Sequence, residues 1–283
     1  MKNKNPTTLI IPDLHHKWKQ AEEIIKSVKS DQIIFLGDYF DDFNDTPGQV
    51  KNTCDWLKSS LSKPNRIHLF GNHDQHYAYS YSKFRCSGYE QWKYYIIRDN
   101  IDSKLWNKLK WFHFLDNQWL ISHGGLHTLN LPDNIKKCWK KGRSEFIVKL
   151  TEYLNDEIYK GFQDIFNNKS SWVFSAGYSR GGIHRVGGIT WCDFVREFKP
   201  FQGINQIVGH TPQSLPPHWC ILKKPPSHRG GEIVYRPIET YNPSLADLNN
   251  MKLSHNICLD VLYDIHWALW DGKELKIGSY KDL

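Results

Sequence analysis

At 283 residues and 40% apolar composition, the chain can bury a large core, and one elaborated domain over 1–283 is expected rather than two. Its net charge of +7 is modest: such a field attracts phosphorylated partners or nucleic acid without singling out either. No apolar stretch approaches the roughly eighteen residues of a membrane span, and Met1 to Pro6 lead straight into an apolar run with no room for a leader. A cytoplasmic location is therefore expected. The cysteines at 54, 86, 138, 192, 220 and 258 contain no CxxC pair and read as reduced, mostly buried thiols.

In chain order, Thr7-Thr8-Leu9-Ile10-Ile11 is a buried-strand run that ends at Asp13-Leu14-His15. Trp18 to Val28 places apolar residues at 18, 21, 24, 25 and 28, a helical spacing. Gln32-Ile33-Ile34-Phe35-Leu36 leads into Gly37-Asp38-Tyr39-Phe40-Asp41, and 48–61 reads as a second helix. Arg66-Ile67-His68-Leu69-Phe70 then leads into Gly71-Asn72-His73-Asp74. The first seventy residues thus form β-α-β-α-β, and parallel sheets place their sites at the carboxyl ends of strands. Further on, Trp119-Leu120-Ile121-Ser122 precedes His123-Gly124-Gly125, and Ile204-Asn205-Gln206-Ile207-Val208 precedes Gly209-His210-Thr211.

Between those strands, 133–166 reads as one long or two shorter helices. Trp139, Phe146, Ile147, Leu150, Leu154, Ile158, Phe162 and Ile165 lie near helical spacing, and Lys136, Lys137, Lys140, Lys141 and Arg143 form a basic polar face. A packed helix with a solvated basic face is the plain reading; a helical cap at about 133–167 that screens substrates is the functional one. The segment 214–250 is rich in Pro, Lys and Gly and reads as loop with at most one short strand. The runs 256–260, 265–270 and 275–277 read as closing antiparallel strands, with Asp271-Gly272 as a hairpin turn.

Taken singly, the five motifs are weak. Gly-Asp after a strand is usually a turn, because Gly supplies positive φ and Asp bonds its own backbone. Together they place mixed Asp, Asn and His donors after five β-like runs, which describes a two-metal centre suited to attack on a phosphorus–oxygen bond.

From Asp13 to His210, about two thirds of the chain, the motif set resembles that of the calcineurin-like metallophosphoesterases. The nearest branch looks like the serine/threonine phosphoprotein phosphatases and their bacterial and phage relatives, including dinucleoside tetraphosphatases. The resemblance implies an α/β fold, a four-layer αββα sandwich with two mixed β-sheets. It implies that Asp13 and His15 bind a first metal, that Asp38 bridges two, and that Asn72, His123 and His210 complete the second, with Asn72 also near substrate. His73 matches the family's general acid and Asp41 the carboxylate that orients it.

Elementary chemistry supports those roles. Two divalent ions about 3.5–4 Å apart share and activate one hydroxide. Only Asp13 and Asp38 are charged ligands, so with hydroxide roughly one positive charge remains to favour a phosphate dianion. Oxygen and nitrogen donors without thiolate suit two divalent transition metals, manganese first, with iron or zinc as alternatives.

Two departures stand out. Where phosphoprotein phosphatases carry a phosphate-gripping Arg, this chain has Asp42, so another cation must serve: Arg180 in Ser179-Arg180-Gly181-Gly182, or less favourably Arg185 or Arg196. Where many relatives end with Gly-His-x-His, this chain has Pro212, which favours the phosphatase-like branch over phosphodiesterases and nucleases. His16 and His76 read as neighbours of the ligands, Asp74 as a helix cap, and Asp193 as a residue near the pocket. The twelve tryptophans read as core or groove lining. The leading functional reading is a phosphomonoesterase acting on phosphoserine, phosphothreonine or phosphotyrosine. The alternative is a nucleotide phosphohydrolase acting on a dinucleoside polyphosphate, a mononucleotide or a nucleic-acid end. A metal-binding scaffold without turnover is the remote third.

Overall fold

The computed structural model describes residues 6–42, 44–213, 218–222, 233–237 and 241–283. Backbone contacts divide the chain into two units, Met1–Trp111 with Tyr263–Leu283, and Phe112–Leu262. The first unit begins with the predicted alternation: β1 (Thr8–Ile11), α1 (Trp18–Val28), β2 (Gln32–Phe35), α2 (Pro47–Leu61) and β3 (Arg66–His68). β1, β2 and β3 pair in parallel, with Ile10 beside Ile34 and Phe35 beside His68. Helix α2 opens on a capping box in which Thr46 and Gln49 satisfy each other's backbone N–H. Helices α3 (Asn72–Ala78), α4 (Gln91–Asn100) and α5 (Ser103–Trp106) follow.

The second unit holds β4 (Phe112–Leu115), β5 (Trp119–Ser122), α6 (Asp133–Lys137), α7 (Arg143–Phe166), β6 (Asn205–Val208), β7 (His218–Leu222), β8 (Ile233–Pro237), α8 (Leu245–Asn249), β9 (Ser254–Cys258) and β10 (Asp260–Val261). Its sheet runs β4-β5-β6-β9-β7-β8, with β5, β6 and β9 parallel and the outer strands antiparallel. The chain then returns to the first unit with β11 (Asp264–Trp270) and β12 (Leu275–Ser279). β11 pairs antiparallel with β1 and with β12, so this sheet also is mixed. Two mixed sheets with helices give the α/β class that the sequence led us to expect.

The segment 133–166 forms two helices, one of the two readings its spacing allowed, separated by a 3-10 turn at Cys138–Lys141 and by Gly142 at φ 114°. Three expectations need correction. Phe146, Ile147, Leu150, Leu154, Ile158 and Ile165 are buried as predicted, but Arg143 leaves the solvated face and donates to the Leu248 carbonyl at 3.0 Å. Parts of 214–250 are strand and helix, not loop: β7 lies between β9 and β8, with Trp219, Cys220 and Leu222 buried. The rest of that segment, 214–217, 223–232 and 238–240, lies outside the described residues. β9 is antiparallel to β7 but parallel to β6, not a purely antiparallel closing strand.

The first unit's core gathers Leu9, Ile11, Phe35, Trp56 and Phe70; the second has a cluster around Phe194, Phe198, Val208 and Cys258. All six cysteines are free thiols. Among the described residues, no helix is long and apolar enough to cross a membrane.

Candidate metal centre

Three loops leave the carboxyl ends of β1, β2 and β3 and lock onto one another. Leu14 and His15 donate their backbone N–H groups to the Asp38 carbonyl at 3.1 and 2.8 Å. The loops after β2 and β3 touch through glycines: a Cβ on Gly37 would lie 2.2 Å from the Gly71 nitrogen, and one on Gly71 would lie 2.0 Å from Asp38 Oδ1. Only hydrogen fits at either position. The buried Asp74 carboxylate accepts N–H bonds from Asp38 at 2.8 Å, Tyr39 at 2.9 Å and Gly71 at 2.9 Å. The expected cap of α3 is therefore also a clamp on the neighbouring loop. Asp38 in turn accepts the His73 backbone N–H at 2.9 Å.

This locking holds His15 (φ 40°), Asp38 (φ 50°) and Asp41 (φ 66°) in left-handed backbone, as His210 (φ 68°) is in the second unit. For side chains other than Gly, each such residue costs on the order of 1–3 kcal/mol and persists only where its surroundings impose it.

Asp13, His15 and Asp38 offer donor atoms that all lie within 4.8 Å of one another. Asp13 and Asp38 are buried. His15 Nδ1 meets the carbonyls of Phe40 at 3.0 Å and Asp41 at 2.6 Å, so it carries the proton. Its Nε2 lone pair is left on the side of Asp38 Oδ2, 3.8 Å away. A ring whose far nitrogen donates to a backbone carbonyl is the usual arrangement of a metal-ligating histidine. The donor set therefore fits a divalent cation. Asn72, the first residue of α3, is buried beside Cys86, its Nδ2 3.7 Å from the sulfur.

In the second unit, His123 follows β5 and His210 follows β6, and their ring centroids are 5.1 Å apart. Gly209 donates to the His123 carbonyl at 2.7 Å, and the Trp191 ring meets His210 edge-on at 5.4 Å.

Asp41 is the hub of a buried network. Its Oδ2 meets His73 Nδ1 at 3.0 Å and His76 Nε2 at 2.9 Å; its Oδ1 accepts from Tyr77 Oη at 2.6 Å and Lys93 Nζ at 3.1 Å. Burial would raise its pKa, but the bonds from His73 and His76 hold it far below the usual carboxylate range. For His73, burial alone would favour the neutral ring. The Asp38 charge and the Asp41 bond outweigh it and raise the pKa well above the ordinary value. Lys93, fully buried, also pairs with Asp45, and Asp45 meets His16 at 3.2 Å. The sequence reading named neither Tyr77 nor Lys93, since a Tyr and a Lys beside polar residues carry no mark of burial.

Arg180 reaches Asp193 through its Nε at 2.8 Å, and Asp193 is fixed by the N–H groups of Val195 at 3.0 Å and Arg196 at 2.8 Å. Arg180, Asp193, Arg196, Thr211 and Gln213 line a cavity of about 390 Å³, and Thr211 directly follows His210. Arg185 is exposed and does not line it. In the first unit, Asp42 lines a separate cavity of about 410 Å³ with His15, Lys17 and Gln49.

Residues 6–214, most of the chain, match the profile of the calcineurin-like phosphoesterases. The chain belongs to that family. As a calcineurin-like phosphoesterase it is a hydrolase of phosphoric esters in a family that depends on two metal ions, and its Asp and His clusters provide metal-binding groups. Three solved structures resemble this phosphoesterase. One, provisionally described as a diadenosine tetraphosphatase, has 14% identity, a TM-score of 0.45, and coverage of 99% of this chain and 96% of its own. A metallophosphoesterase from Sphaerobacter thermophilus has 13% identity and a TM-score of 0.44, over 97% and 88% of the two chains. A serine/threonine phosphatase from Saccharomyces cerevisiae, similar to human phosphatase PP5, has 12% identity and a TM-score of 0.44, over 98% and 80%. No curated protein matches the chain. At such low identity the family match is the deciding observation.

Proposed function

We propose that the protein is a phosphomonoesterase with a binuclear metal centre, acting as one catalytic domain in the cytoplasm on phosphorylated protein side chains. The observation that carries this reading is a proton donor set beside a metal-donor cluster. His73, held by Asp41, stacks edge-on at 5.4 Å against His15, whose donors gather with those of Asp13 and Asp38. On the motif match, Asn72, His123 and His210 join those three as ligands. When bound, a pair of divalent cations, manganese first, activates a water and offsets charge on the phosphate.

The remaining work falls to side chains of this protein. With Nδ1 engaged by Asp41, His73 Nε2 is the nitrogen that donates a proton to the departing alkoxide, a contribution of roughly 10²–10⁴-fold. Asp41 keeps the ring turned and charged, and Tyr77 with Lys93 keeps Asp41 from swinging away. Arg180, steadied by Asp193 on the cavity wall next to Thr211, grips phosphate oxygens in place of the arginine that Asp42 displaces. Pro212, where many diesterases carry a further histidine, supports the monoester over the diester.

The test compares p-nitrophenyl phosphate with its bis-ester, using manganese-loaded protein. A kcat/KM at least tenfold higher for the monoester is expected; the reverse preference overturns the proposal. A panel of phosphopeptides and dinucleoside polyphosphates then decides between protein and nucleotide substrates, and preference for the latter would move the assignment to nucleotide hydrolysis.

A further inference from the structure

The catalytic histidine also belongs to a second group of metal donors, whose other two members, His76 and Cys86, have no catalytic role in the phosphoesterase reading. One ring nitrogen each of His73 and His76 and the sulfur of Cys86 lie within 4.8 Å of one another. Cys86 Sγ is 3.3 Å from His76 Nδ1. In a tetrahedral zinc site, with Zn–S about 2.3 Å and Zn–N about 2.0–2.1 Å, neighbouring donors stand roughly 3.3–3.6 Å apart. The other nitrogen of His76, Nε2, is bound to the Asp41 carboxylate at 2.9 Å. That carboxylate is itself fixed by Tyr77 and Lys93. A carboxylate bound to the far nitrogen of a histidine fixes the ring and raises its basicity as a ligand. One thiolate with two imidazoles is a borderline-soft set, matched to zinc and poorly matched to manganese or magnesium.

We propose that Cys86, His76 and His73 form an inhibitory site for zinc or a similarly thiophilic divalent cation, separate from the Asp13–His15–Asp38 cluster. Occupancy takes His73 out of the reaction whichever nitrogen it lends. If Nε2 binds the cation, the nitrogen assigned to the leaving group is blocked. If Nδ1 binds it, the bond to Asp41 is broken. The protein is thereby switched off by a metal that leaves its Asp13–His15–Asp38 donors untouched. The site stands on geometry alone, whereas the inhibitory consequence rests on the reading of His73 as proton donor.

Two measurements separate these parts. Full-length protein titrated with Co²⁺ should show a thiolate-to-cobalt charge-transfer band in the near ultraviolet. The band should vanish in Cys86→Ser and persist in Cys138→Ser. Absence of the band, or its survival in Cys86→Ser, overturns the site. Should Cys86→Ser fail to fold by circular dichroism, His76→Gln reads the same site: its cobalt affinity should fall at least tenfold, and unchanged affinity overturns the proposal. In the second measurement, Zn²⁺ is added to manganese-loaded protein hydrolysing p-nitrophenyl phosphate. Half-inhibition of Cys86→Ser should need at least tenfold more zinc than the wild type; equal sensitivity overturns the inhibitory role. If the protein hydrolyses no phosphoester at all, the proposed function fails, and the cobalt band still decides the site.

Discussion

In the first unit, Asp38, Asp41 and Asp74 each hold several donors at once, and His73, His76 and Lys93 are tied into that web. In the second unit, His123 and His210 sit among rings and backbone amides, and the charged groups Arg180 and Asp193 stand at the wall of an open cavity. The first arrangement fixes proton positions, because both oxygens of Asp41 and of Asp74 already accept bonds. The second leaves a guanidinium with room to meet a ligand. The lesson is one of division: proton handling depends on a saturated buried network, and anion capture on a supported but accessible cation.

Variants can break or sharpen that contrast. The largest effect belongs to the proton donor: His73→Asn should lower turnover at least about a hundredfold while elemental analysis shows bound metal unchanged. Loss of metal would instead make His73 a ligand. Asp74→Ala should leave three buried N–H groups without acceptors, at about 1–3 kcal/mol each, and urea unfolding should show a drop of at least about 3 kcal/mol. A smaller loss would mean that the two glycine contacts alone hold the loops. Arg180→Ala should raise KM about tenfold, the scale of one charged hydrogen bond, with kcat and metal content little changed, and Arg185→Ala should change neither; equal effects would move the clamp off the cavity.

A last effect, spread over both units, concerns acid stability. Burial lowers the pKa of His68 to about 3, and of His127 and His255 to about 4. Their folded values lie below the ordinary 6.5, so the unfolded chain binds more protons between those limits. Stability is full above about 6.5 and lost as pH falls toward 4, by roughly 1.4 kcal/mol per pH unit per histidine. A flat urea-unfolding profile between pH 7 and 5 would contradict this.

The β-α-β-α-β opening was legible because each strand is a short apolar run closed by Gly and Asp, and α1 follows its apolar spacing to the residue. The Asp13–His15–Asp38 group was legible for the same reason, since parallel strands deliver their ends to one edge. What sequence hid was decided by partners far along the chain. Lys93 has the look of a solvated lysine until Asp41 and Asp45 surround it. Cys86 gains its setting from His76, ten residues earlier. β7 is masked by its Pro- and Lys-rich flanks and exists because β9 and β8 offer ladders on both sides. Arg143 sits in a run of basic residues, and the Leu248 carbonyl, Asn249 and Met251, more than a hundred residues away, pull it from them.

The left-handed backbone at His15, Asp38, Asp41 and His210 has a practical outcome for mutagenesis. Asparagine tolerates that conformation better than most residues, so Asp→Asn or His→Asn exchanges alter charge and coordination while sparing the main chain. Alanine adds a torsional penalty at the same positions, and valine or isoleucine a larger one. An alanine scan of these four residues would thus confound weakened folding with lost chemistry, and an asparagine scan would keep the two apart.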